Sequence, residues 1–233
     1  MVSMAGRHDE PHPDDRVHRK LAVALVALVA LGPLLSSALG RPGVFGYLEA
    51  AFLLYALYQV TRRRSDLLIG LVLGLPAVAG TVIDAATPDR SDVNLAPLLF
   101  ATLFIGFLVW RILGDVLGGG RVTSEQISGA ISVYLLVGFM FALVYAFVAL
   151  VDPNAFAYSD AILESETSVD ADQGMSIFTY FSFVTMTTLG YGDVTPVSLV
   201  ARTLAFIEAL LGQLYVAVMI AGLVGMHISR RSP

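Results

Sequence analysis

The chain has 233 residues, of which 56% are hydrophobic and only 14% charged, and its mean hydropathy is +0.75. That balance excludes an ordinary soluble domain and points to a protein whose solvent is largely lipid. The absence of cysteine removes disulfides, thiolate nucleophiles and cysteine-based zinc sites, and a net charge of -5 without a basic patch gives nucleic-acid binding no support.

Residues 1–20 are polar, proline-containing and rich in charge, and read as a disordered tail. His8 and His12 are four apart, but Pro11 and Pro13 oppose the helix that would bring them to one face around a metal. Apolar segments come next at about 21–39, 44–60, 67–84, 95–113, 127–151 and 198–228, each near the length that crosses a bilayer, the second marginally. Ser36-Ser37-Ala38 has the small residues of a signal cleavage site, but the apolar run and its polar leader are both long, so the first segment reads as a retained span. Arg16, Arg19 and Lys20, then Arg62 to Arg64, Arg111 with Arg121, and Arg230 with Arg231 all fall on one side of a six-span chain. The positive-inside rule makes that side the cytoplasm, with both termini there, in a multi-pass protein of the plasma membrane. Trp110 falls at the inner interface, an anchoring position.

The third segment carries Gly70, Gly74, Pro76 and Gly80, a pattern for a kink and close helix packing. After the fourth come Gly118-Gly119-Gly120 and then Thr123, whose pairing with Gln126 fits a capping box starting the fifth helix near Ser124. This connection divides a four-helix membrane domain, 21–117, from a second module, 118–233. Six spans suggest a voltage-gated layout, yet a sensor needs several charges spaced along a mobile helix, because one charge moved through 100 mV contributes only about 2.3 kcal/mol. The fourth segment offers Arg111 alone, at its inner end, and Arg62 to Arg64 are consecutive in a loop, so weak or absent voltage dependence is expected. With only a few residues after His227, no cytoplasmic ligand-binding domain is expected there.

The second module begins with an outer helix, 124–151, and continues into a loop, 152–174, that holds Asp152, Asp160, Glu164, Glu166, Asp170 and Asp172 and no basic residue. Such a loop either stays solvated outside the membrane or concentrates cations over about a Debye length, ~8 Å at physiological salt. Residues 175–187 are apolar but too short to cross, which fits a re-entrant helix with its negative end aimed at the next stretch of chain. That stretch is Thr187-Thr188-Leu189-Gly190-Tyr191-Gly192-Asp193. A narrow ion path needs consecutive carbonyls turned to one side, and so alternating backbone conformations that glycine tolerates; Gly190 and Gly192 supply them at the right spacing. The last helix, 198–228, holds Gly212, nineteen positions after Asp193, and Glu208, a carboxylate well inside an apolar helix and therefore a functional candidate. A hydrogen bond from Glu208 to the back of the short helix, through Thr179 or Tyr180, is the first expectation; a cavity-facing charge that titrates is the other.

The run from Val184 to Pro196, in the order helix, loop and helix, resembles the pore signature of potassium channels, with Leu189 where valine is usual in the filter. The resemblance covers about 124–230 and implies an all-α membrane protein of six transmembrane helices, with a pore helix and filter loop between the fifth and sixth, of the bacterial single-pore type. It implies that carbonyls of Thr188, Leu189, Gly190 and Tyr191 and the Thr188 hydroxyl coordinate potassium, that Gly192 completes the outer turn, and that Asp193 braces the filter from behind with Thr187. Many relatives have paired tryptophans where this chain has Tyr180-Phe181, so a phenol at Tyr180 would replace part of the cuff around the filter tyrosine. Gly212 stands where relatives with a gating hinge have theirs; close helix approach is the alternative.

One filter per chain cannot close a ring of carbonyls but four can, so a homotetramer in the lipid bilayer is expected. The expected function is passive potassium conduction, with no reaction catalysed and no cofactor beyond the permeant ions. The alternatives are a weakly selective cation channel, an ion-coupled transporter subunit, and a non-conducting regulatory or scaffold subunit. Related uptake transporters usually carry four degenerate pore repeats, where this chain has one intact copy. The gating stimulus is open between protons at Glu208, membrane tension or lipid, and constitutive leak.

Overall fold

The computed structural model describes residues 17–39, 43–61, 66–87, 95–118, 124–160, 162 and 171–229. Among these described residues, long apolar runs broken by short polar connections become seven helices of sixteen residues or more. The helices are α1 (Val17–Leu39), α2 (Val44–Thr61), α3 (Leu67–Ala86), α4 (Leu95–Gly118), α5 (Ser124–Val151), α6 (Ala171–Met186) and α7 (Leu199–Ser229). Among the described residues α1, α3, α4, α5 and α7 are long and apolar enough to cross a membrane. The expected second span, α2, is not in that set, and α6 is a shorter apolar helix. Because α1 starts at Val17, the last four residues of the expected tail are helical; the apolar periodicity that begins at Val17 carries the helix back through Arg19 and Lys20. The short helix likewise starts four residues before its expected first residue, at Ala171. His8, His12, Arg62 to Arg64, Thr123, Glu164, Glu166 and Asp170 lie outside the described residues.

Successive helices are neighbours: α2 packs on α1 and α3, α4 on α3 and α5, and α1 also lies along α5. The four-helix domain therefore rests on the second module of its own chain, with α1 and α2 reaching α6 as well. Small residues permit the approach, since a Cβ at Gly74 would lie 2.9 Å from Leu57 and 3.2 Å from Phe104. One hydrophobic cluster runs through both parts, including Leu25, Leu53, Phe104, Ile105, Leu136, Phe139 and Tyr145, so the core is continuous across the expected module boundary. At one end of α4, Arg111 forms an ion pair with Asp66, 2.7 Å, at the start of α3.

Two short strands, β1 (Phe156–Tyr158) and β2 (Val194–Pro196), pair antiparallel, with Phe156 opposite Pro196 and Tyr158 opposite Val194. Hydrogen bonds from Ser159 N–H to Asp193 O, 2.8 Å, and from Val197 N–H to Ala155 O, 2.7 Å, extend the ribbon at both ends. It fastens the segment leaving α5 to the segment entering α7. Ser198 then caps α7, its Oγ accepting from Ala201 N–H at 3.1 Å.

Candidate functional site

The candidate site is built on the way α6 ends. Thr188 N–H donates to Thr185 O at 3.0 Å and Leu189 N–H to Val184 O at 2.9 Å. These are the two bonds of a Schellman termination, whose C′ residue takes the left-handed conformation usually given to glycine. Here that residue is Thr188, at φ 60°. A β-branched residue there is an outlier, at a cost of about 1–2 kcal/mol. Gly190 at φ 59° and Gly192 at φ 81° come after it, while Leu189 and Tyr191 have no positive φ. Every second residue from 188 to 192 is thus left-handed, the alternation that lets successive carbonyls face one side.

The flank of this loop is held by Asp193. Tyr180 Oη donates to Asp193 Oδ2 at 2.5 Å, and Val194 N–H donates to Oδ1 at 3.0 Å. The rings of Tyr180 and Tyr191 are stacked, 6.5 Å apart and 1° from parallel. Tyr180 therefore faces the loop, whereas Phe181, the next residue round the helix, faces the core against Tyr145 at 5.0 Å and Phe156 at 5.6 Å. No ring contact joins Phe181 to Tyr191 among the described residues; it reaches the loop only through α6. Thr187 Oγ1 donates to Phe183 O at 2.6 Å, closing the last turn. Residues 187–192 are all exposed in the single chain, Leu189 at 58% and Tyr191 at 67%.

Behind α6 lies Glu208 of α7, fully buried at 0% exposure. Tyr145 Oη of α5 donates to its Oε2 at 2.5 Å, and Ser182 Oγ of α6 lies 2.5 Å from its Oε1. Ser182 Oγ is also 2.6 Å from Gly138 O of α5. Glu208 does bond the back of α6, but through Ser182: Thr179 Oγ1 is spent on Met175 O at 2.8 Å, and Tyr180 is engaged with Asp193. In the single chain the Glu208 carboxyl is buried among α5, α6 and α7.

One turn further along α7, Gly212 lies against the end of α6. A Cβ there would be 2.5 Å from Met186 Cγ and 2.6 Å from Met186 O, so close approach accounts for this glycine. Gln213 Nε2 donates to the same Met186 carbonyl at 3.4 Å. Tyr215 adds a tie to α5, donating to Ala130 O at 2.7 Å. Tyr145, Ser182 and Gln213 are site residues that sequence reasoning misses. The available signals are a phenol and a hydroxyl within apolar helices and an amide beside Gly212. Among the described residues no three histidine or acidic side chains form a cluster able to hold a metal ion.

Residues 133–227, from within α5 to near the end of α7, match a family model described as an ion channel. No curated protein and no solved structure shows a significant match to the chain.

Proposed function

We propose that this chain, an ion channel by the family its residues 133–227 match and not an enzyme, conducts potassium passively and selectively across the cell membrane as a homotetramer. The observation that carries the reading is the left-handed backbone at Thr188, Gly190 and Gly192, directly after a helix too short to span. Irregular backbone is tolerated at membrane depth only where protein or water covers it. In the single chain it is exposed, and four copies around an axis would cover it while closing rings of carbonyls.

In this assembly α6 is the re-entrant pore helix, α5 the outer helix and α7 the inner helix. Carbonyls of Thr188, Leu189, Gly190 and Tyr191 and the Thr188 hydroxyl replace the hydration shell of the ion, which is cargo and not a cofactor. Gly192 completes the turn, and Asp193, bonded to Tyr180, supports the loop from its flank. Met186 O, at the negative end of the pore helix, is held by Gln213, and the end of the helix favours a cation beneath the filter. The 18 residues of α2 give a rise of about 27 Å, close to the hydrocarbon thickness, so α2 completes six spans and both termini are cytoplasmic.

Liposomes containing only this protein test conduction. A potassium gradient should drive potassium flux that a potassium-free gradient does not; sealed liposomes with correctly assembled protein would instead identify a scaffold.

A further inference from the structure

We propose that Glu208 carries a proton and is the donor that locks the inner helix to the pore helix and, through Ser182, to the outer helix. Ser182 has one hydroxyl proton, and its Oγ faces two oxygens, Gly138 O at 2.6 Å and Glu208 Oε1 at 2.5 Å. A backbone carbonyl only accepts, and so does an ionised carboxylate. Were Glu208 ionised, one of these contacts would press two acceptors together at hydrogen-bond distance without a hydrogen between them. A proton on Glu208 Oε1 resolves both: Glu208 donates to Ser182, Ser182 donates to Gly138 O, and Tyr145 donates to the other carboxyl oxygen, Oε2.

The surroundings agree with a neutral acid. Glu208 is fully buried, and an ionised carboxylate without a cationic partner is far costlier to bury than a hydrogen-bonded acid. The titratable groups facing it are Tyr145 and, within electrostatic reach, Tyr134, both from α5. The pore helix presents the Ser182 hydroxyl, and among the described residues no basic side chain acts on the carboxyl. Gly138 is fitted to the arrangement, since a Cβ there would lie 3.0 Å from Phe183 of the pore helix.

Loss of the proton leaves Ser182 with one hydrogen for two acceptors and opens one link between the helices. Together with Gly212 and Gln213 against Met186, this chain of hydroxyls fixes the inner helix to the element on which the filter is built. Glu208 is therefore a positioning residue through which alkaline pH weakens the filter's support. This consequence rests on the conduction reading above; the proton itself does not.

Two measurements on the full-length protein in liposomes separate them. Glu49 of α2 is a second buried acid. Difference infrared spectroscopy at neutral pH should show the carbonyl stretch of a buried protonated carboxyl, lost in Glu208→Gln and retained in Glu49→Gln. Potassium flux in the wild type should fall as pH rises, and Glu208→Gln, whose amide donates to Ser182 and accepts from Tyr145 as the neutral acid does, should hold its flux over the same range. A spectrum in which wild type and Glu208→Gln carry the same protonated-carboxyl bands overturns the proposal, as does an unaltered pH profile in Glu208→Gln. A wild type without flux would count against the conduction reading, and the infrared result would still decide the proton.

Discussion

Thr188 is left-handed because the hydrogen bonds that end α6 require it, and Gly190 and Gly192 continue the alternation that this residue begins. The two glycines were legible in the sequence because only glycine adopts that conformation freely. Thr188 was not, because a threonine in a glycine position is recognisable only from the helix cap that imposes it. Alanine at Gly190 meets no neighbour in the chain, so its effect comes from the backbone, about 1–2 kcal/mol per subunit for the left-handed conformation. Gly190→Ala should leave the size-exclusion elution volume of the wild type unchanged while abolishing selective potassium flux. Tyr180→Phe removes the donor to Asp193, an interaction of about 1 kcal/mol at this part-exposed position, and should lower sustained conduction without loss of assembly, as single-channel recording will show. Glu208 was legible as a buried acid in an apolar helix, but its partner was not. Thr179 and Ser182 lie three apart on one face of the pore helix, and only the helix crossing selects between them.

Among the elements, α7 meets α6 along a strip of Glu208, Gly212 and Gln213. Its sequence spacing fitted both a hinge and a packing contact; the short distance to Met186 identifies the contact. Gly212→Ala would force a methyl against a backbone carbonyl, and overpacking of this kind costs about 1–3 kcal/mol. The variant should show a lowered unfolding temperature and reduced flux, whereas a hinge that merely needed flexibility would lose flux with its stability unchanged. The long helices were readable because their apolar runs are long and continuous. The ribbon of β1 and β2 was not, because each strand has three residues and the pairing joins segments on opposite sides of the pore helix, which no local pattern encodes.

For the whole molecule, α1 and α4 pack along α5 of the same chain, so the first four helices rest on the second module of their own chain. Arg111 of α4 is held by Asp66. One such charge would contribute at most about 2.3 kcal/mol per 100 mV even if it crossed the whole membrane. Open probability should therefore change little between negative and positive potentials; steep voltage dependence in reconstituted channels would overturn this reading. The surface left apolar on α7, including Phe206, Leu210, Leu214 and Val218, suits contact with neighbouring copies and lipid around a central axis. Selectivity is the property on which the whole account turns, and the reversal potential of the reconstituted wild type between potassium on one side and sodium on the other measures it directly. A potassium-selective pore gives a reversal potential close to that of a membrane permeable to potassium alone; a value near zero would instead identify a cation channel that does not distinguish the two ions.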